Sequence, residues 1–293
     1  MLESQVTTRD IAILLDVYKY RYLSLSQIQT LHFPSLRTVQ RRLKALTTLG
    51  YLRGFRAPSI SERIFYLDKK GADIVAIELH VDLPDLQWYR YTKAPKDYHF
   101  LRHFLAINDF RILITQACLK SPIQLIGFIP EYMGEKTVQG NVKKYIRDKV
   151  CDVQAGKIEY SHTPDAAFAL AKNESAALFF LEVDRGIEVI SDPERGLLKS
   201  ILFYLNYWVD GKYQRYSSDF SDKPFKTFRS LFIVPSSERL QHVREEVTKF
   251  PFLKPEAKRF LWGTTASQLT KDTLFEPIWL SLDARDAALH KIG

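Results

Sequence analysis

Residues 162–185 limit the fold more than any other stretch of the sequence. They contain two apolar runs, Ala166–Leu170 and Ala177–Val183, which have the length of buried β-strands and are separated by a short polar turn at Lys172–Ser175. This pattern predicts a β-hairpin. Helical and extended segments surround it in the order helix, strand, hairpin, helix, strand, helix, which is typical of an α/β domain.

Three carboxylates stand at one end of the predicted hairpin. Side chains alternate between the two faces of a strand, so Glu182 and Asp184 share a face with Phe180. Antiparallel pairing brings Asp165, at the start of the first strand, close to both. Such a cluster is costly in desolvation and repulsion unless a cation compensates it, and Mg²⁺ takes carboxylate oxygens as ligands. The pattern therefore predicts a divalent metal site.

The first 82 residues have the pattern of a winged helix-turn-helix. Two helix patterns precede a third, which Ser35 can cap and which runs to about Leu49. Its apolar positions are expected to face inward: Leu36, Val39, Leu43 and Leu46. Two extended runs, Arg53–Arg56 and Arg63–Leu67, then predict the strands of a wing. In this class of domain the third helix enters the major groove of DNA.

The opposite side of the third helix and the predicted wing are basic. From Arg37 through Arg56 the sequence has six basic residues and no acidic one. A solvated surface and a protein-binding winged helix are the alternatives, but the charges fall on the helix whose position predicts DNA contact. Wing residues are expected to meet phosphates rather than bases. The predicted DNA-binding residues are Arg37, Arg41, Arg42, Lys44, Arg53, Arg56 and Arg63.

The overall charge agrees with a polyanionic partner. The 293 residues carry a formal net charge of +8, which favours double-stranded DNA first and an anionic membrane surface second. With only two cysteines, neither a disulfide framework nor a cysteine-rich zinc site is expected. No signal peptide or membrane-spanning apolar run is recognisable, so we expect a cytoplasmic protein without membrane association.

The motifs of the hairpin resemble those of known nucleases. Pro164-Asp165 followed by Glu182-Val183-Asp184 is similar to the motif of the PD-(D/E)xK nuclease superfamily. More narrowly, Pro-Asp-Ala-Ala-Phe followed by Phe-Leu-Glu-Val-Asp-Arg-Gly looks like the replication-relaxation family of plasmids and integrative elements. This resemblance covers nearly the whole chain. It implies a two-domain α+β protein, in which a winged helix-turn-helix precedes a restriction-endonuclease-like α/β core.

The resemblance also implies roles for single residues. Asp165 and Glu182 would hold Mg²⁺ or Mn²⁺, and Glu131, at the end of an earlier strand, would be a reserve metal ligand. Asp184 occupies the position of the catalytic lysine, so it would add a carboxylate there, and Lys199 on the following helix would replace the lysine. The candidate catalytic residues are therefore Asp165, Glu182, Asp184 and Lys199.

The predicted domains are a winged helix over residues 1–82, a linker over 83–97 and a nuclease-like domain over 98–293. After the hairpin, Asp192-Pro193 is expected to begin a helix, with aspartate as the cap and proline in the first turn. Residues 135–162 are polar and basic. The sequence leaves open whether they form a flexible insertion near the DNA or a solvated helix.

Three functions remain open from the sequence. The first is a DNA-binding accessory protein of plasmid or mobile-element replication or transfer, with a degenerate nuclease-like domain that docks replication or conjugation proteins. The second is a metal-dependent DNA endonuclease or nickase that uses Asp165 and Glu182. The third, more distant, is a winged-helix transcription regulator whose C-terminal domain senses a ligand.

Overall fold

The chain divides into two compact units, residues 1–112 and 113–293. Helices and a mixed β-sheet occur together, so the fold is of the α+β class. The computed structural model describes residues 6–58, 60–86, 88, 98–136, 142–152, 158–187, 189–192, 196–249 and 259–293. None of the helices in these ranges is long and apolar enough to cross a membrane.

The N-terminal unit contains short helices and a small antiparallel sheet. Its elements are α1 Thr8–Tyr20, β1 Leu23–Ser24, α2 Leu25–His32, α3 Leu36–Thr48, β2 Leu52–Arg56, β3 Arg63–Leu67 and α4 Lys69–Glu78. The strand order is β1-β3-β2. Ser35 occupies the N-cap position of α3, although its side chain forms no capping hydrogen bond with the backbone, and β2 pairs antiparallel with β3. The predicted start of the third helix and the predicted pair of strands after it are therefore confirmed.

The apolar side of α3 forms part of one core with α1. Val39, Leu43 and Leu46 are buried together with Ile13 of α1. Leu36, which the sequence pattern placed on the same side, is 48% exposed. It is the first residue of α3 and lies at the end of the packed stripe. The helical period predicts the side of α3 on which Leu36 lies, but it does not predict how far this residue lies from the core.

The long helix α5, Tyr98–Cys118, begins in the N-terminal unit. Buried Asn108 donates from Nδ2 to the carbonyl oxygens of Tyr20, at 3.1 Å, and Tyr22, at 2.8 Å. These contacts hold this part of α5 on the N-terminal unit, and the compact units divide after Ile112. Leu86, in the expected linker, is buried in the same core, and residues 89–97 lie outside the described part of the chain.

The C-terminal unit is organised around a seven-stranded mixed sheet with the order β14-β13-β12-β11-β10-β9-β4, in which β10, β11 and β12 are parallel. The strands of the unit are β4 Gln124–Pro130, β5 Gly134–Lys136, β6 Val142–Lys144, β7 Asp148–Asp152, β8 Ile158–His162, β9 Ala166–Lys172, β10 Ser175–Val183, β11 Phe228–Val234, β12 Leu261–Thr265, β13 Trp279–Ser281 and β14 Leu289–His290. The helices that follow β10 are α6 Leu197–Asp210, α7 Ser217–Phe220 and α8 Ser237–Thr248.

Strands β9 and β10 form the predicted hairpin. They pair antiparallel with Leu181 opposite Ala166, and Asn173 in the turn has a φ of 54°, a conformation that asparagine tolerates. The residues from Ala166 to Leu170 are all buried, since β9 lies between β10 and β4. On the sheet face that carries Phe180, this ring packs on Tyr204 of α6, with centroids 5.6 Å apart.

Helix α6 begins at Leu197, after Gly196, and not at the predicted Asp192-Pro193. The amide of Leu197 donates to the carbonyl oxygen of Val189 at 3.1 Å. A Cβ at position 196 would lie 2.0 Å from that same oxygen, so only glycine permits this close approach. The helix start is therefore set by a backbone contact, which an N-cap motif does not reveal. Pro193 lies outside the described residues.

Residues 135–162 contain strands, so neither the flexible insertion nor the solvated helix is correct for their described part. Strands β5 and β6 form one antiparallel pair, and β7 and β8 form another. Ile146 and Val150 are buried in the core of the unit, and the Tyr207 hydroxyl of α6 donates to Asp148 at 2.5 Å. Buried residues such as Ile146 and Val150 are few among the charged residues of this segment. The sequence pattern therefore did not indicate its strands. Residues 137–141 and 153–157 are outside the described part.

Candidate functional site

The outward side of α3 carries three exposed basic side chains, Arg37, Arg41 and Lys44. Val39 and Leu43 anchor the opposite side of the helix in the core. None of the three cations forms an ion pair with an acidic residue of the described ranges. We call these three residues the α3 cationic strip. Uncompensated cations on an exposed helix attract phosphate groups.

Two other arginines of the predicted DNA-binding set are bound within the unit. Arg42 donates from Nε to Oδ1 of Asp10 at 2.5 Å, and a second bond joins its Nη2 to Oδ2. Asp10 is fully buried. Burial alone would raise the pKa of this carboxyl, but hydrogen bonds from Arg42 and Thr7 and the charge of Arg42 together lower it. Arg53 likewise donates to Asp68, at 2.9 Å.

Arg56 and Arg63 face each other in the β2–β3 pair and are both exposed. Arg63 donates from Nη2 to the carbonyl oxygen of Gly54 at 3.2 Å. The strands are held by an aromatic cluster in which Phe55 lies 5.8 Å from Tyr66 between ring centroids. Both arginines are therefore presented at the end of a supported hairpin.

The structure adds residues to this surface that sequence reasoning missed. Gln40 is exposed between the cations of the strip, and Leu36 is exposed beside it. A cleft of ≈ 620 Å³ between α1 and α3 is lined by Arg9, Phe33 and Arg41 among others. Helical spacing alone would have revealed Gln40, whereas Arg9 required the packing of α1 against α3.

In the C-terminal unit, three acidic residues occupy neighbouring positions at the ends of adjacent strands. The amide of Asp165 donates to the carbonyl oxygen of Leu181 at 3.1 Å, and the amide of Glu131 donates to that of Asp165 at 2.9 Å. Glu182 follows Leu181 on β10. The hairpin thus brings Asp165 and Glu182 together as the sequence predicted, with Glu131 on the next strand.

Glu182 is already bonded by two side chains that the sequence did not indicate. Its Oε1 lies 2.7 Å from Nε2 of His162 and accepts a hydrogen bond from the Tyr204 hydroxyl at 2.5 Å. Burial raises the pKa of Glu182, and His162 offsets this only in part, while the charge of Asp165 raises it further. His162 lies on β8 and Tyr204 on α6, so the fold brings both from distant parts of the chain.

Asp165 and Glu131 are also engaged. Oδ2 of Asp165 accepts a hydrogen bond from the amide of Val183 at 2.6 Å, and Glu131 forms an ion pair with Lys144 at 3.0 Å. No group of three or more histidine, cysteine or acidic side chains placed to hold a metal ion occurs within the described ranges. In this arrangement each of the predicted metal ligands Asp165, Glu182 and Glu131 is bound by other groups of the chain.

Asp184, at the end of β10, is bound by a cation of α8. Its side chain is fully buried and accepts a hydrogen bond from Nε of Arg239 on α8, at 2.7 Å, and another from the amide of Gly186. Lys199 is half-buried in the first turn of α6 and forms no ion pair with a residue of the described chain. Arg239 thus neutralises Asp184 at the motif position.

Comparison with known proteins identifies one family. The model of the replication-relaxation family matches residues 14–222, which is more than half of the chain and includes both α3 and the β9–β10 hairpin. No curated protein matches the chain. The extent of the family match, across both compact units, means that this chain belongs to the replication-relaxation family.

Proposed function

We propose that this chain is a DNA-binding accessory protein of plasmid or mobile-element replication or transfer. Membership of the replication-relaxation family suggests the biological setting. In this proposal the N-terminal unit is a winged helix-turn-helix that binds double-stranded DNA. The C-terminal unit is a degenerate nuclease-like scaffold to which replication or conjugation proteins dock.

The observation that carries the proposal is the α3 cationic strip. Arg37, Arg41 and Lys44 are exposed on one side of the third helix, and no acidic residue of the described ranges neutralises them. Arg56 and Arg63 add exposed charge on the two strands that follow. A helix in the major groove with a basic hairpin against the backbone is the way in which winged helices bind a duplex.

The proposal for the C-terminal unit rests on its element order and on the occupied carboxylates. Apart from the two additional strand pairs β5–β6 and β7–β8 and the short α7, the order α5, β4, β9, β10, α6, β11 agrees with the restriction-endonuclease-like core that the motifs implied. Glu182 is held by His162 and Tyr204, and Asp184 is held by Arg239. Cleavage would require these carboxylates to exchange protein partners for a metal ion, so we propose a scaffold without nuclease activity.

Replacing the α3 cationic strip tests the proposal. The full chain and its Arg37→Ala/Arg41→Ala/Lys44→Ala variant are titrated with a labelled duplex at several salt concentrations. Each lost phosphate contact is expected to lower the slope of log affinity against log salt by roughly 0.9, so the triple variant should lose about 2 to 3 units. Unfolding by urea should be unchanged, since the three side chains are exposed.

A matched control replaces three exposed basic residues outside this surface, Lys120, Lys223 and Lys271, with alanine. This variant loses the same formal charge and is expected to keep nearly the same affinity and salt slope. Equal losses in the two variants would mean that only net charge matters. Unchanged affinity and slope in the strip variant would remove α3 as the DNA-binding element.

Metal-dependent cleavage is the second candidate function, because Asp165, Glu182 and Glu131 do occupy neighbouring positions at the ends of adjacent strands. In that alternative, Asp165 and Glu182 would bind Mg²⁺ or Mn²⁺ after Tyr204 and His162 move away from Glu182. The metal would stabilise the charge that develops on the scissile phosphate. Lys199 is the chain's own candidate for orienting the attacking water.

A further inference from the structure

Two neutral side chains at the start of α3 are exposed among the cations. We propose that Leu36 and Gln40 read an A·T base pair in the major groove and so make DNA binding sequence-selective. This inference rests on the proposed function, because it assumes that α3 meets a duplex. It assigns to these two residues the sequence selectivity that the α3 cationic strip cannot provide alone.

The exposure of Leu36 is the first observation. Its side chain is 48% exposed, whereas the other apolar positions of its stripe, Val39, Leu43 and Leu46, are buried. It immediately precedes Arg37 in the first turn of α3. The exposed half of this leucine supplies an apolar contact beside an unneutralised arginine, on a surface that otherwise carries polar and charged side chains.

The environment of Gln40 is the second observation. Its amide is exposed and has no hydrogen-bond partner within the described part of the chain. It lies four residues after Leu36 and three after Arg37, so both are its neighbours on the helix surface. Lys44 follows one turn later on the same side. Gln40 is therefore a neutral donor and acceptor surrounded by cations.

Position along the helix favours these residues for contact with bases. In a helix-turn-helix, the N-terminal residues of the recognition helix reach the base edges, and more distant charges meet the backbone. Leu36 and Gln40 lie in the first turns of α3, which ends at Thr48. The side chains that reach deepest into the groove would thus include two that carry no charge.

The chemistry of the two side chains selects one base pair. A glutamine amide offers an acceptor and a donor side by side, which matches N6 and N7 of adenine, and an apolar side chain contacts the C5-methyl group of thymine. Arginine and lysine instead bind phosphates without regard to sequence, or guanine when they reach a base. Leu36 and Gln40 together therefore specify an A·T pair beside the phosphates held by the strip.

Selection from a random duplex library with the full chain tests this assignment. The native chain is expected to enrich sites with one adenine position that depends on Gln40. Gln40→Ala should lower discrimination at that position by roughly five- to 150-fold, with an unchanged salt slope. Gln40→Glu should move the preference there toward cytosine, because a carboxylate accepts from the cytosine amino group. A purely structural role would not produce that exchange.

Leu36 is tested by removing the methyl group from the DNA. Replacing the relevant thymine of the selected duplex with deoxyuridine should weaken binding of the native chain and leave binding of Leu36→Ala unchanged. Two matched controls come from the same helix: Lys44→Ala should lower the salt slope by about one unit without altering the base preference, and exposed Thr48→Ala should alter neither.

The outcomes separate this inference from the proposed function. An unchanged base preference in both Gln40→Ala and Leu36→Ala would overturn the inference, and so would salt-dependent binding by the native chain without any sequence preference. In either case the DNA-binding function would still stand. A native chain that binds no duplex even at low salt would overturn the proposed function itself.

Discussion

Arg41 and Arg42 are adjacent on α3 but have opposite environments, which makes them a matched pair. Arg41→Ala is expected to lower the salt slope of duplex binding by about one unit and to leave stability unchanged, since Arg41 is exposed. Arg42→Ala is expected to lower the free energy of unfolding by about 2–3 kcal/mol, because buried Asp10 loses its cation. Fluorescence anisotropy with a labelled duplex and urea unfolding measure the two effects.

Two outcomes would contradict the different roles assigned to Arg41 and Arg42. A loss of DNA affinity in Arg42→Ala at full stability would mean that Arg42 leaves Asp10 to contact DNA. A loss of stability in Arg41→Ala would mean that the strip is part of the unit's packing. In either case the division between binding and structural arginines would be wrong.

The Asp10 carboxyl also predicts how stability depends on pH. Because its pKa in the folded unit lies below the ordinary value of 3.8, Asp10 stabilises the fold above that pH. This contribution is lost as the pH falls from about 3.8 through the lowered pKa. The stability difference between the native chain and Asp10→Asn should therefore be constant near neutral pH and shrink in acid. Urea unfolding of both proteins between neutral pH and pH 3 measures it, and a pH-independent difference would contradict the prediction.

At the scale of elements, the ion pair between Asp184 and Arg239 joins the end of β10 to α8. Arg239→Ala is expected to cost about 3 kcal/mol of unfolding free energy, because it leaves a fully buried carboxylate without its cation. Adding Asp184→Ala to that variant should restore part of the loss, since the unpaired charge is then removed. A double-mutant cycle by urea unfolding measures this coupling.

Exposed Gln241 on α8 provides the control for that cycle, because the side chains that it bonds in the described part of the chain, Glu245 and Arg244, lie within one turn of the same helix. Gln241→Ala is expected to change the unfolding free energy by less than about 0.5 kcal/mol. Additive losses from Asp184→Ala and Arg239→Ala would show that the two residues act independently. Asp184 would then be available for the metal-ligand role that the motif suggested.

For the whole molecule, the proposed scaffold function predicts binding without cleavage. The full chain should bind supercoiled plasmid in Mg²⁺ or Mn²⁺ without nicking it, because Glu182 is held by Tyr204 and His162. Gel analysis of plasmid forms over time is the measurement. The strip variant serves as the binding control, since it should lose plasmid association under the same conditions.

Nicking by the native chain would support the endonuclease alternative if it met two further conditions. It should disappear in Glu182→Gln, and it should be much reduced in Lys199→Ala. Metal should also raise the thermal stability of the native chain by mass action, but not that of Asp165→Asn. Nicking that persisted in all of these variants would indicate a contaminating nuclease.

The sequence by itself determined the features that depend on local pattern. The β9–β10 hairpin was predictable because two apolar runs of strand length flank a polar turn, and its pairing necessarily brings Asp165 to Glu182. The start of α3 and its basic side followed from Ser35 and from helical spacing. Such features arise from neighbours in the chain, so the periodicity of apolar and charged residues identifies them.

Only the tertiary structure decided which partner each charged or polar side chain takes. Arg42 pairs with Asp10, Asp184 with Arg239, and Glu182 with Tyr204 and His162. These partners come from different helices and strands, and periodicity gives the face of a residue but not the element that packs against it. The same reason accounts for the strands within residues 135–162, whose burial depends on contact with α6 rather than on their own sequence pattern.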